Sequence, residues 1–256
     1  MKKTFLTAEW RKLIMVNYAV DAQVLQKYLP PHTQLDLWNS TCYVSLIGFM
    51  FLNTRIKGIK IPFHTEFEEV NLRFYVKYLE EGVYKRGVGF IKEIVPKQAI
   101  TWVANTLYKE HYVTMPMQHS WVLREDTLAI EYRWKQRDWY SLAVSAQSTP
   151  LPIAPGSEEE FITEHYWGFT RRDNHTTSAY EVAHPRWEIY PVQEYHLSVD
   201  FKALYGPDFD FLNTATHRSV FLAEGSEILI KEGGVLRHQK SRRKSTCIRL
   251  QAVFHK

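Results

Sequence analysis

The stretch FEEVNLRFYVKY, residues 67–78, decides the fold. Val70, Leu72, Phe74, Val76 and Tyr78 fall on one side, and Asn71, Arg73, Tyr75 and Lys77 on the other. A period of two is that of a strand. Glu80-Glu81-Gly82 then turns the chain back into VYKRGVGFIKEIV, residues 83–95, so a long antiparallel hairpin is predicted. The polar side also poses the functional question, because Asn71, Arg73 and Tyr75 all point one way. If that side faces the interior of a curled sheet, an amide and a guanidinium stand ready to hold a carboxylate. If it faces water, it is only the wet half of an amphipathic strand.

Working outward, most of the chain reads the same way. KLIMVNYAV (12–20) is an extended apolar run, followed by Asp21 as a helix cap for AQVLQKYLP, which Pro30 and Pro31 end. A turn from Trp38 to Thr41 leads into CYVSLIGFMFLNTR (42–55), apolar on both faces. AITWVANTLYKE (99–110) places Ile100, Val103, Ala104 and Leu107 at helical spacing. Three more hairpins are predicted: residues 127–147 around Lys135 to Trp139, 165–183 around Asp173-Asn174, and SVFLAEG with SEILIKEGG across Gly225-Ser226. STPLPIAPGS (148–157), with three prolines, is a surface crossover, and Ser157 opens a capping box with the glutamates that follow. So many long strands rarely stay flat, so the class is α+β, a mostly antiparallel sheet curled or closed into a barrel with a few short helices.

Composition narrows the functional classes. The 256 residues carry a net charge of +4, but the segment from Arg237 to Lys256 holds seven basic residues and no acid, which leaves residues 1–236 at −3. One domain over 1–236 with a basic tail at 237–256 is the expected organisation. Such a tail is able to grip phosphates or an anionic membrane, but no aromatic or amphipathic pattern accompanies it, and a solvated terminus is the expectation. Neither a nucleic-acid nor a membrane partner is expected; a homo-oligomer remains open. Two distant cysteines, Cys42 and Cys247, suit a reduced cytoplasm, and neither an export signal nor an apolar span is present.

The unit from Arg11 to Phe51, an extended segment entering a helix that ends in proline and passes into strands, resembles the N-terminal region of acetoacetate decarboxylase-like proteins. Together with FEEVNLRFYV, EHYWGFTR, HPRW and SVFLAEGSE it resembles more closely the YqjF-like family of uncharacterised bacterial proteins, grouped with that fold. The resemblance spans most of residues 8–232 and implies an acetoacetate decarboxylase-like β-barrel. It also implies an arginine ahead of the first strand, where Arg11 falls, and a Tyr-Pro-Lys-Lys sequence after the central helix, where Tyr112 matches the tyrosine. The residues after it are Val113, Thr114 and Met115, so neither lysine position holds an amine. Imine formation needs a neutral amine, and a Schiff-base decarboxylase is therefore not expected. The carboxylate expected on the earlier strand is also missing from Val44 to Ile47, while Glu66, Glu68 and Glu69 come later.

The other candidates are weaker. His165, His175 and His184 are ten and nine residues apart, which matches no compact ligand pair, and no metal is expected. No phosphate loop, dinucleotide fingerprint or nucleophile elbow exists, so no cofactor is expected. Lys109 and His111 read as solvated groups at a helix exit, while His165 with Trp167 is placed to line a pocket. The leading expectation is an internal cavity binding a small organic acid or carbonyl compound, anchored by Arg11, Asn71, Arg73 and Tyr112. The alternatives are an enzyme using Glu68, Glu69 or His165 as acid and base, and an interaction module acting through the tail.

Overall fold

The computed structural model describes residues 2–107 and 109–236. The basic segment 237–256, with Cys247, lies outside the described residues. Strand β1 (Thr4–Val20) contains the predicted apolar run and ends at α1 (Ala22–Gln26), where Asp21 Oδ1 accepts a hydrogen bond from the Gln23 amide at 2.8 Å. After β2 (Gln34–Leu35), a tight bridge between Trp38 and Thr41 leads into β3 (Cys42–Ile56). The hairpin of β4 (Phe67–Glu80) and β5 (Val83–Val95) turns through Glu81 at φ 51° and Gly82 at φ 85°, the left-handed pair that two-residue loops favour. Helix α2 (Gln98–Leu107) is followed by β6 (Tyr112–Thr114), which runs parallel to β5.

Strands β7 (Met117–Arg124), β8 (Thr127–Lys135) and β9 (Trp139–Gln147) pair in succession, so the predicted hairpin at 127–147 forms. The crossover at 148–157 carries a short edge strand, β10 (Leu151–Pro152), and α3 (Glu158–Thr163) starts where Ser157 Oγ caps the Glu160 amide. Strands β11 (Trp167–Arg171) and β12 (Thr177–Ala183) form the second predicted hairpin. Then come β13 (Glu188–Tyr190), β14 (Val192–Ser198), α4 (Phe201–Tyr205), a 3-10 helix at Pro207–Asn213, β15 (Ser219–Lys231) and β16 (Gly234–Leu236).

The hairpin expected across Gly225 does not form. β15 is one strand, paired with β1 from Thr4 opposite Lys231 to Asn17 opposite Ser219. Gly225 sits at φ 80°, and a Cβ there would lie 1.9 Å from the Trp10 carbonyl oxygen. Gly225 lies opposite Arg11, and the next residue, Lys12, adopts φ 56° where the pairing of β1 with β3 shifts between Arg11 and Ile14. The β1–β15 register continues past both residues, so a glycine that reads as a turn lies inside a continuous strand.

Two sheets result. The small one orders β14-β9-β8-β7. In the large one, pairings run β15-β1-β3-β4-β5-β11-β12, and β12 pairs again with β15 through Val182 and Ala183, so the circuit returns to its start. Both sides of β4 are therefore buried. Its even-numbered side, with Leu72 and Phe74, packs against Ile14 and Val16 of β1 and against Ile130, Tyr132 and Leu142 of the small sheet. Its odd-numbered side meets a second apolar cluster that includes Met15, Ile47, Phe49 and Phe161. The polar side of residues 67–78 faces the interior, not water.

Candidate functional site

Strand register gathers the chemistry. Asn71 of β4 lies opposite Glu93 of β5, and Glu93 lies opposite Tyr112 of β6. Glu69, two residues along β4 from Asn71, shares its face. All three of Glu69, Asn71 and Glu93 are buried, at 3%, 2% and 1% exposure. Asn71 Nδ2 donates to Glu69 Oε1 at 2.9 Å, and the Tyr112 hydroxyl donates to Glu69 Oε2 at 3.1 Å. Helix α2 holds this short strand in place. Asn105 donates through Nδ2 to the Tyr112 carbonyl and accepts the Tyr112 amide through Oδ1, each at 2.9 Å, and the Thr101 and Thr114 hydroxyls are 2.7 Å apart.

A third carboxyl enters from the connection between α2 and β6. There Lys109 turns the chain with φ 61°, and Glu110 comes into hydrogen-bonding contact with Glu93 and Tyr180. Tyr180 belongs to β12 and reaches this point by lying across Gly168, its partner in β11. A Cβ at Gly168 would stand 2.3 Å from Tyr180 Cζ, so only glycine lets the ring cross.

Glu110, Tyr112 and Tyr180 close one end of a cavity of about 330 Å³. Its walls are largely apolar, built from Phe51 and Phe67 of the sheet, Ile100 and Val103 of α2, and Ile230 of β15, with Thr54 and His64 adding polar groups. Burial strips water from the carboxyls and raises all three. Glu69 and Glu110 are pushed up to about 7, while Glu93, with both other carboxylates beside it, goes well above the ordinary range. Asn71, Tyr112 and the Arg73 charge oppose the rise at Glu69 without cancelling it. Near neutrality the cluster therefore holds shared protons and is not a set of three free carboxylates. Tyr112 and Tyr180 stay protonated, lifted by burial and by the acids around them.

Further along the interior, Asp36 is buried with His165 Nε2 at 3.1 Å, Arg86 Nε at 2.6 Å and Lys77 Nζ at 3.2 Å. Its pKa lies below the ordinary carboxylate range because the hydrogen bonds and charges of His165 and Arg86 outweigh the opposing cost of burial. Burial brings His165 down to about 4, so it is neutral at pH 7. The His165 ring stands between Tyr75 and Phe161, 4.8 and 5.0 Å from their centroids. Arg73, half-buried, donates to the Ile162 carbonyl at 3.2 Å. Its Nε, Asn71 Oδ1 and His165 Nδ1 are buried with no hydrogen-bond partner among the described residues.

The predicted site residues thus separate into groups. Glu69, Asn71 and Tyr112 come together, Arg73 lies behind them, and His165 belongs to the Asp36 group. Arg11 sits at the strand bulge, bound to Glu9 at 2.7 Å and Glu224 at 3.4 Å. Glu68 points to the other face of β4 and pairs with His119 at 2.7 Å. Trp167 stacks on Phe169 and carries the Lys85 ammonium 4.1 Å from its centroid, away from the carboxyls. Sequence reading missed Glu93, Glu110 and Tyr180. Glu93 had a weak signal, an acid beside Lys92 in the largely apolar GVGFIKEIV; Glu110 and Tyr180 had none. Met115, just past β6, is buried. Among the described residues, no group of three His, Cys, Asp or Glu is arranged to hold a metal ion.

A family model described as an uncharacterized conserved protein, DUF2071, matches residues 7–227. Uncharacterized protein YqjF of Bacillus subtilis (strain 168) is 26% identical over 170 residues, covering 64% of this chain and 67% of its own. Acetoacetate decarboxylase from Legionella pneumophila subsp. pneumophila str. Philadelphia 1 superposes with a TM-score of 0.60 at 15% identity, over 91% of this chain and 87% of that one. An acetoacetate decarboxylase-like enzyme from Sphingomonas wittichii RW1 gives 0.62 at 12%, over 93% and 95%. The enduracididine biosynthesis enzyme MppR, complexed with pyruvate, gives 0.63 at 11%, over 92% and 91%. At these identities the likeness is one of fold, an acetoacetate decarboxylase-like fold made mostly of sheet.

Proposed function

We propose, for a chain that belongs to the DUF2071 family of uncharacterized conserved proteins, that the large sheet closes as a barrel whose chamber binds a small organic carbonyl compound with an apolar body. The observation that carries the reading is the cavity's division of labour. Its walls are largely hydrocarbon and aromatic, with Thr54 and His64 among them, while Tyr112, Tyr180 and Glu110 gather hydroxyl and carboxyl groups at its end. A carbonyl oxygen accepts hydrogen bonds from such donors and brings no charge into an apolar space. An organic acid enters only in its protonated form, because an ionised carboxylate would face Glu110 and the two acids behind it. Arg11, bound to Glu9 and Glu224, is not an anchor in this reading. Neighbours of the same fold add modest support, since one is named for acetoacetate and another is complexed with pyruvate.

No imine forms part of this function. In this reading Thr114 and Met115 take the places of the decarboxylase lysines, and among the described residues no lysine lines the cavity. Calorimetric titration with 2-heptanone, heptanoate and heptylamine at pH 7 tests the reading. The ketone is expected to bind, and Ile100→Trp, which fills the chamber, is expected to abolish binding. Absence of ketone binding, or equal binding by the tryptophan variant, would sink it.

A further inference from the structure

We infer that the chamber catalyses proton transfer at the carbon beside the ligand's carbonyl, with Glu110 as the base and Tyr112 as the group that serves the carbonyl oxygen. The inference rests on the binding reading above and adds an activity to it. Its geometric basis is the convergence of three side chains from separate elements on one end of an apolar cavity. Glu110 and Tyr112 are two residues apart across the entry to β6, and Tyr180 reaches them from β12.

Behind each reacting group stands a second carboxyl. Glu93 lies beside Glu110 at 1% exposure, and its burial together with the neighbouring carboxylates favours its protonated form, whereas Glu110 is partly exposed where it lines the cavity. Glu110 is thereby left as the member of the pair that accepts a proton. The Tyr112 hydroxyl lies 3.1 Å from Glu69 Oε2, so a protonated Glu69 donates to the phenol oxygen, which frees the phenol proton for the ligand and places Glu69 to replace it. Neither amine nor metal is required, because a hydrogen-bonded carbonyl accepts electron density directly.

The step balances. The α C–H bond breaks as its proton forms an O–H bond on the Glu110 carboxylate, and the electron pair moves through the new carbon–carbon double bond to the carbonyl oxygen. That oxygen takes the Tyr112 proton, and Glu69 restores it to the tyrosine. The product is an enol, with one proton gained at Glu110 and one lost from Glu69. Reversal returns a proton to carbon, which in heavy water is a deuteron once Glu110 has exchanged with solvent. No oxidant, reductant or co-substrate takes part. Glu93 does not touch the ligand and is a positioning residue. Its replacement by Gln keeps a hydrogen-bond donor beside Glu110, so Glu93→Gln separates the donor from the acid.

The test follows α-proton loss from 2-heptanone in heavy water by proton NMR at neutral pH, alongside its calorimetric affinity. The wild-type chain is expected to speed exchange over buffer. Glu110→Gln is expected to lower that rate by about 10² or more, as removal of a general base does, with affinity changed less than threefold. Tyr112→Phe is expected to slow exchange by at least tenfold. Glu93→Gln is expected to retain exchange but move its pH profile, which a merely structural role would not do. If the ketone binds and exchange stays at the buffer rate, or Glu110→Gln exchanges like wild type, the catalytic inference fails and the binding reading survives. If the ketone does not bind, both fall.

Discussion

The hydroxyl of Tyr112 lies 3.1 Å from Oε2 of Glu69, joining the short strand after α2 to the start of β4. Two strands that do not pair are linked this way, because Glu93 of β5 lies between them in the register. The bond both orders the site and holds the polar end of the chamber.

Replacing Tyr112 by Phe leaves Glu69 with Asn71 as its remaining side-chain hydrogen-bond donor among the described residues, in a dry interior. The expected cost is about 1–3 kcal/mol, the penalty for a buried acceptor deprived of its partner. Urea unfolding at pH 7 checks this, and an unchanged midpoint would remove the bond from the account.

The carboxyl cluster predicts an unusual pH dependence. Glu69 and Glu110 titrate at about 7 in the folded chain and at about 4.3 when unfolded, so the folded state holds more protons between those values. Their contribution is complete below the unfolded value and is lost as pH rises through 7. His165, at about 4, works in the opposite sense between 4 and 6.5, and Asp36, held low, adds stability that is lost only in stronger acid. Comparison of wild type with Glu110→Gln isolates the cluster. From pH 5 to 8 the wild type should lose stability relative to the variant, with a slope of up to about 1.4 kcal/mol per pH unit. A parallel pair of curves would contradict the buried cluster.

Gly168→Ala should disturb the site from a distance. The added methyl meets the Tyr180 ring at 2.3 Å, and the ring must leave its place over β11. A stability loss of about 1–3 kcal/mol is expected from overpacking. Quenching or spectral change of a chamber-bound fluorescent ketone should report the displaced tyrosine; a variant with wild-type stability and binding would show that the crossing is not required.

Borohydride added with acetoacetate is expected to leave the protein mass unchanged, since Thr114 and Met115 hold no amine. A reduced adduct mapped to any lysine would restore imine chemistry to this chain.

Local pattern made much of the fold readable. The alternation at 67–78, the Glu81-Gly82 turn, the Asp21 and Ser157 caps and the hairpins at 127–147 and 165–183 all depend on neighbours within a few residues. Gly225 shows the limit of such reading, because a left-handed glycine serves a turn and also sits within a paired strand. What distinguishes them is whether a partner strand runs past both sides, and here β1 does.

The sequence by itself determined that residues 67–78 form a strand with Glu69 and Asn71 on one face. Only the tertiary structure decided that this face is interior and that Glu69, Glu93, Glu110 and Tyr180 meet there. The reason is register. Strand pairing brings distant segments side by side, and a slip of one residue in any pair would turn its side chains to the opposite face.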